Sequence, residues 1–202
     1  MSATVLAALA DPRVRLGLGT AGVVVTALPA SRNRVGHGEA RAFRAVNGLP
    51  GSLYGPVWLI MQLGALGAAP AAAGAALLAH DRELAGRLLA AGTGTWALSK
   101  LVKQMVRRSR PAALVSGTRI RGREASGLGY LSGHAGVAVA LGAAAFARQG
   151  PAGRAVVAAV VPIVGFSRMY VGAHLPLDIV GGAGLGLAVE AAVALARHPG
   201  GQ

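Results

Sequence analysis

Apolar residues gather in six long runs along the 202-residue chain, at 16–30, 53–79, 84–102, 131–147, 155–171 and 177–196, with polar and charged residues confined to the stretches between. A bilayer core of about 30 Å needs roughly 20 apolar residues as helix, and fewer when the helix packs inside a bundle. The runs lack the alternation of a barrel strand, so helices are predicted throughout. The first run is short and follows Arg13 and Arg15. Gln62 and Pro70 mark a polar spot and a kink in the second, and the charged turn His80, Asp81, Arg82 and Glu83 separates it from the third. The fold class expected is all-α: a polytopic membrane helical bundle of about six transmembrane helices, forming a single domain over residues 1–202. Alanine and glycine outnumber leucine in the runs, as at Gly181, Gly182, Gly184 and Gly186, which suits helices that approach closely through small faces. Residues 107–130, rich in Arg, Ser and Gly, read as an irregular loop. No internal repeat is evident.

Composition strengthens the membrane reading and narrows the partners. Hydrophobic residues make up 53% of the chain and charged residues 13%, too few to cover a soluble surface. The 20 basic and 7 acidic residues give a net charge of +13, which alone would admit nucleic-acid binding. Only 4% of residues are aromatic, however, so no stacking platform for bases is available and no nucleic-acid partner is expected. The absence of cysteine rules out disulfides, thiolate metal sites and a thiol nucleophile. Residues 1–10 do not read as a cleaved secretory signal, because Asp11 follows them and no basic region precedes them.

Ionisable groups at the ends of apolar spans are costly, and three clusters of them carry the chemical information. The first is KQMVRRSRP, from Lys103 to Pro111. Lys100, Lys103, Arg107 and Arg110 are spaced to lie on one helical stripe, with Pro111 ending the helix. On its own such a row also fits side chains reaching for lipid headgroups. The second is Leu131, Ser132, Gly133 and His134 at the start of the fourth run: Ser132 as N-cap, Gly133 allowing close approach to the backbone, and free helix-end N–H groups that favour an anion. The third is SRMYVGAHLPLD, from Ser167 to Asp178. Pro176 suits the first turn of a helix, so Asp178 falls in that turn and can reach back to His174, holding one imidazole nitrogen and leaving the other free to attack. A purely structural His–Asp cap is the competing reading. Arg168 adds a planar fork for phosphate oxygens. With six spans, all three clusters fall on one membrane face, and together they hold what phosphoryl transfer requires.

These motifs resemble those of the type 2 phosphatidic acid phosphatases, which share a phosphate site with bacterial acid phosphatases and vanadium haloperoxidases. That family's pattern is Lys, six residues, Arg-Pro; then Pro-Ser-Gly-His; then Ser-Arg, five residues, His, three residues, Asp. Lys103, Arg110 and Pro111 match the first motif, and Ser167, Arg168, His174 and Asp178 match the third in full. Ser132, Gly133 and His134 match the second, with Leu131 standing where the family has proline. The resemblance covers a motif core at about residues 100–182. It implies that His174 is the nucleophile, that Asp178 orients it, and that His134 is the general acid. It further implies that Lys103, Arg110, Ser132, Gly133 and Arg168 bind the phosphoryl oxygens, with neither cofactor nor metal.

The expected function is therefore that of an integral membrane phosphatase acting on a lipid phosphate or diphosphate through a phosphohistidine. A polyprenyl substrate such as undecaprenyl (di)phosphate is slightly favoured over phosphatidic acid or phosphatidylglycerol phosphate. The alternative is a non-enzymatic membrane protein that binds or transports lipid phosphates. A bacterial cytoplasmic membrane is the expected location. Arg32, Arg34, Arg41, Arg44, Arg119, Arg121 and Arg123 on the site side argue for a cytoplasmic site by the positive-inside rule. Arg13 and Arg15 before the first span argue for an inside N-terminus and an outward-facing site, which is the orientation expected.

Overall fold

The computed structural model describes residues 10–197, and all regular structure among them is helical. The expectation about a cleaved signal at residues 1–10 falls almost wholly outside the described residues. The helices are α1 (Pro12–Ser31), α2 (His37–Asn47), α3 (Tyr54–Met61), α4 (Ala68–Leu78), α5 (Arg82–Val106), the short α6 (Pro111–Leu114), α7 (Gly133–Phe146), α8 (Pro151–Tyr170) and α9 (Pro176–Arg197). Their starts follow from local chemistry. Asp11 accepts from the Arg13 N–H at 2.7 Å ahead of Pro12, and Asp81 accepts from the Leu84 N–H at 2.9 Å ahead of α5.

Each of the six apolar runs contains helix, in line with an all-helical membrane protein. By length and apolarity α1, α8 and α9 qualify as spans one by one, with mean hydropathies of 1.3, 1.4 and 1.9, and α3 with α4 qualifies as a bent pair. Helix α5 falls outside that criterion and α7, at 14 residues, is shorter. The outer surface is apolar: Val25 and Leu28 are each 67% exposed, Leu59 66% and Leu78 85%, as lipid-facing side chains require.

Three expectations need correction. The second run is two helices meeting at 72° across a break, rather than one helix kinked at Pro70. Pro70 lies in the first turn of α4, where its missing N–H costs nothing. The break arises because the halves pack on different partners, α3 on α8 and α4 on α5. Second, the polar loop after α1 contains α2, whose buried Ala40, Phe43 and Val46 face inward while Arg41 and Arg44 stay exposed. Third, Pro111 begins α6 and does not end α5. Helix α5 stops four residues earlier, where Arg107 adopts the left-handed conformation (φ 55°) and donates its N–H to the Lys103 carbonyl. Arg107 and Arg110 therefore leave the expected stripe.

Small residues set the helix spacing. Helices α1 and α9 run antiparallel, and a Cβ built on Gly184 would stand 2.7 Å from the Gly19 carbonyl oxygen. Between α4, α5 and α7 the core is Ala69, Ala73, Ala76, Ala85, Leu88, Val137, Leu141 and Ala144. One buried ion cluster ties the bundle together away from the motifs: Glu190 of α9, fully buried, accepts from Arg15 of α1 at 3.1 Å and from Arg87 of α5. Gly182 has a different duty, since a Cβ there would strike the backbone of Ser132. Gly182→Ala is accordingly expected to destabilise the protein by about 1–3 kcal/mol and to reduce activity, because backbone cannot move aside as a flexible side chain does. Thermal unfolding in detergent beside an activity assay checks this, and unchanged values for both would contradict the packing account.

Candidate active site

Helix ends bring the three clusters together at one end of the bundle. Ser132 caps α7 through its Oγ, which accepts from the Ala135 N–H at 3.3 Å, while its own N–H donates to the Asp178 carbonyl at 2.8 Å. That second bond joins the start of α7 to the start of α9. Leu131, where the family pattern has proline, is fully buried, and its carbonyl accepts from Lys103 Nζ at 2.5 Å. Lys103 Nζ also donates to the carbonyls of Gly129 at 3.1 Å and Leu128 at 3.3 Å. Tyr130 completes the anchorage of this turn, its hydroxyl lying 2.8 Å from both Thr26 Oγ1 and the Val23 carbonyl of α1. Hydrogen bonds thus hold the turn in place of a proline ring.

His174 lies at the centre. Its Nδ1 is 3.5 Å from Asp178 Oδ2, short of a formed hydrogen bond, and its Nε2 is 3.1 Å from Arg110 Nη1. Asp178 sits in the first turn of α9, where Oδ2 accepts from the Leu175 N–H at 2.9 Å and Oδ1 from Arg108 Nη1 at 2.9 Å. Arg110 is spread over the loop, donating to the carbonyls of Ala173 at 2.8 Å, Ser126 at 2.9 Å and Gly127 at 3.2 Å. Arg168, near the end of α8, donates to Met61 Sδ at 2.8 Å, and its Nε is buried without a partner. The break between α3 and α4 serves this arrangement: Met61 reaches Arg168, and Gly64 lies against the backbone of His134.

Burial pushes His174 well below the ordinary histidine range, and the positive charges of Lys103, Arg110 and Arg168, with His134, push it further down. A neutral imidazole is the form with a lone pair to offer. A cavity of about 120 Å³ opens beside the site between α3 and the loop, with Arg110, Arg168, Tyr54, Trp58 and Met61 in its wall; the two imidazoles are not among its lining residues. Among the described residues, no group of three or more His, Asp or Glu is placed to hold a metal ion.

The depressed His174 gives a pH expectation. An unfolded histidine titrates near pH ~6.5. The folded protein keeps His174 neutral below that value, so its imidazole still offers a lone pair as pH falls through the unfolded value, and folding stability is lost over the same fall. Nitrogen NMR of histidine-labelled protein, with His174 assigned by its loss in His174→Ala, checks this; protonation of that ring near pH ~6.5 would contradict it.

Sequence reasoning missed two residues of this region. Arg108 is fully buried and pairs with both Asp178 and Glu39, and Glu39 comes from α2 in a stretch read as loop. The only signal was a second arginine two residues before Arg110, which helical spacing placed on the wrong face.

The sequence pattern of the PAP2 superfamily matches residues 84–199, more than half of the chain and including all three clusters. The chain belongs to the PAP2 superfamily. No curated protein sequence matches it closely enough to count as a relative. Two solved structures share the PAP2 fold seen here. The first transmembrane PAP2 type phosphatidylglycerolphosphate phosphatase from Bacillus subtilis is 19% identical, with a TM-score of 0.66 over 92% of this chain and 98% of that one. LpxE of Aquifex aeolicus is 20% identical, with a TM-score of 0.63 over 76% of this chain and 93% of that one. PAP2 membership accounts for the order and spacing of the motifs, and the shared membrane fold for the way helix ends assemble them.

Proposed function

We propose that this PAP2 protein is an integral membrane phosphatase that removes the terminal phosphoryl group from a lipid phosphate or diphosphate, as one domain with its motif core at residues 100–182. The observation that carries the reading is His174 set between Asp178 at Nδ1 and Arg110 at Nε2. His174 Nε2 attacks phosphorus as the bond to the lipid oxygen breaks. The departing oxygen takes its proton from His134, and Asp178 holds the Nδ1 proton while positive charge grows on the ring. Arg110 and Arg168, with Ser132 and the Gly133 N–H, carry the charge on the non-bridging oxygens, and Lys103 adds its positive charge from the carbonyls it braces. Water then attacks phosphorus, giving its proton back to His134 as the N–P bond breaks, and both histidines are regenerated as phosphate leaves. These groups complete the cycle without a cofactor.

A polyprenyl phosphate or diphosphate is favoured over phosphatidic acid or phosphatidylglycerol phosphate, because helices built on alanine and glycine leave lateral room for a long tail. The location proposed is a bacterial cytoplasmic membrane with the site facing outward. The site-side cations Lys103, Arg108, Arg110 and Arg121 are held by internal hydrogen bonds, which weakens their weight in the positive-inside balance. Labelling of cysteines introduced near Arg119 in this cysteine-free chain tests the orientation. Function is tested by phosphate release from purified protein with EDTA present, across the four lipid classes named. Release is expected, highest with polyprenyl substrates; tight binding without turnover would instead make the protein a lipid-phosphate carrier.

A further inference from the structure

The pair missed in the sequence, Glu39 and Arg108, forms a chain of contacts that ends at His174. Both Arg108 and Asp178 have side chains with no exposed surface, and Glu39 is 9% exposed. Arg108 grips Glu39 with two parallel bonds, Nη1 to Oε1 at 2.9 Å and Nη2 to Oε2 at 2.7 Å. The same Nη1 donates to Asp178 Oδ1 at 2.9 Å, and Nη2 also reaches the Arg34 carbonyl at 3.3 Å. Glu39 Oε1 further accepts from the Leu177 N–H at 3.1 Å, in the first turn of α9 one residue before Asp178. Helix α2 is seated here by Phe43, which packs with Val115 and with Leu175, the neighbour of His174.

Each contact has a consequence for the imidazole. A carboxylate removed from water keeps its charge only beside a compensating cation, and Arg108 is the one bonded to Asp178. With Oδ1 held by Arg108 and Oδ2 by the Leu175 N–H, Asp178 has a single orientation, in which Oδ2 faces His174 Nδ1. Without Glu39 the guanidinium keeps single bonds to Asp178 and to the Arg34 carbonyl, whereas the two-point grip of Glu39 fixes its plane. The trio carries two negative charges and one positive, a net −1. That charge complements the cation that forms on His174 when it takes up a phosphoryl group.

We infer that Glu39 is a positioning residue for the reaction, fixing through the buried Arg108 the orientation and charge of the Asp178 carboxylate that faces His174. The inference rests on the phosphatase reading above. Glu39 bonds to none of the phosphate-binding cations Lys103, Arg110 or Arg168, so its removal acts on the chemical step and not on affinity for phosphate.

The test uses the full-length protein in detergent, with kcat on a lipid phosphate and the inhibition constant of inorganic phosphate as separate readouts. Glu39→Gln is expected to lower kcat roughly 10- to 100-fold while the phosphate inhibition constant stays within about twofold, and Glu39→Asp to recover most of the loss. If Glu39→Gln does not give a monodisperse protein, Glu39→Asp serves alone: its shorter reach loosens the grip on Arg108, and a several-fold fall in kcat at unchanged phosphate inhibition is expected. Unchanged kcat in the folded variant overturns the inference. So does a parallel loss of kcat and phosphate binding, which would mark Glu39 as a structural support for the whole site. A wild-type protein that hydrolyses no lipid phosphate defeats the phosphatase reading itself, a result distinct from either of these.

Discussion

His174→Ala is expected to lower phosphate release from a lipid phosphate by about 10³-fold or more while the protein remains folded and still binds inorganic phosphate. In the proposed mechanism the imidazole supplies the attacking lone pair, and no neighbour stands in for it: Lys103 is committed to three carbonyls, and the chain has no cysteine. His134→Ala is expected to differ in kind. Its loss, roughly 10²-fold or more with a lipid alkoxide as leaving group, is expected to shrink with an aryl phosphate, whose phenolate departs without needing a proton. Steady-state kinetics on the two substrate types separates the roles. Equal activity of wild type and both variants would refute them.

Arg108→Met is expected to cost about 3–5 kcal/mol of stability and to abolish activity. Two carboxylates depend on this one guanidinium, and Asp178, with no exposed surface, lies where water cannot take its place. Breaking a buried ion pair by removing one partner leaves an uncompensated charge, and that residual charge is the expensive part. Arg123 supplies the control: it is exposed in the same loop region, so replacing it is expected to change stability by no more than about 0.5 kcal/mol. Thermal unfolding of the two variants in detergent measures the contrast, and similar losses for both would show that burial does not govern the effect.

The motif residues were legible because their chemistry is local. Ser132 caps α7 through a bond to the N–H three residues on, and Asp178 lies one helical turn from His174, so both relations are written in sequence spacing. Helix α2 was not legible: a stretch of eleven residues with three arginine or glutamate side chains around Phe43 and Val46 reads as polar until a partner covers its apolar face. The end of α5 was misjudged for a related reason. Proline is a strong local stop signal, but Arg107 turns the chain first, without a glycine, and that turn sends Arg108 into the core.

By itself the sequence determined that this is an all-helical membrane protein with three motifs in PAP2 order, since apolar run length, composition and residue spacing are properties of neighbouring residues along the chain. Only the tertiary structure decided that the second run breaks so that Met61 can reach Arg168, that Lys103 braces the Leu131 turn, and that Glu39 and Arg108 stand behind Asp178. Those relations join residues tens of positions apart, and they exist because a buried charge must find its counter-charge wherever the packing of helices places one.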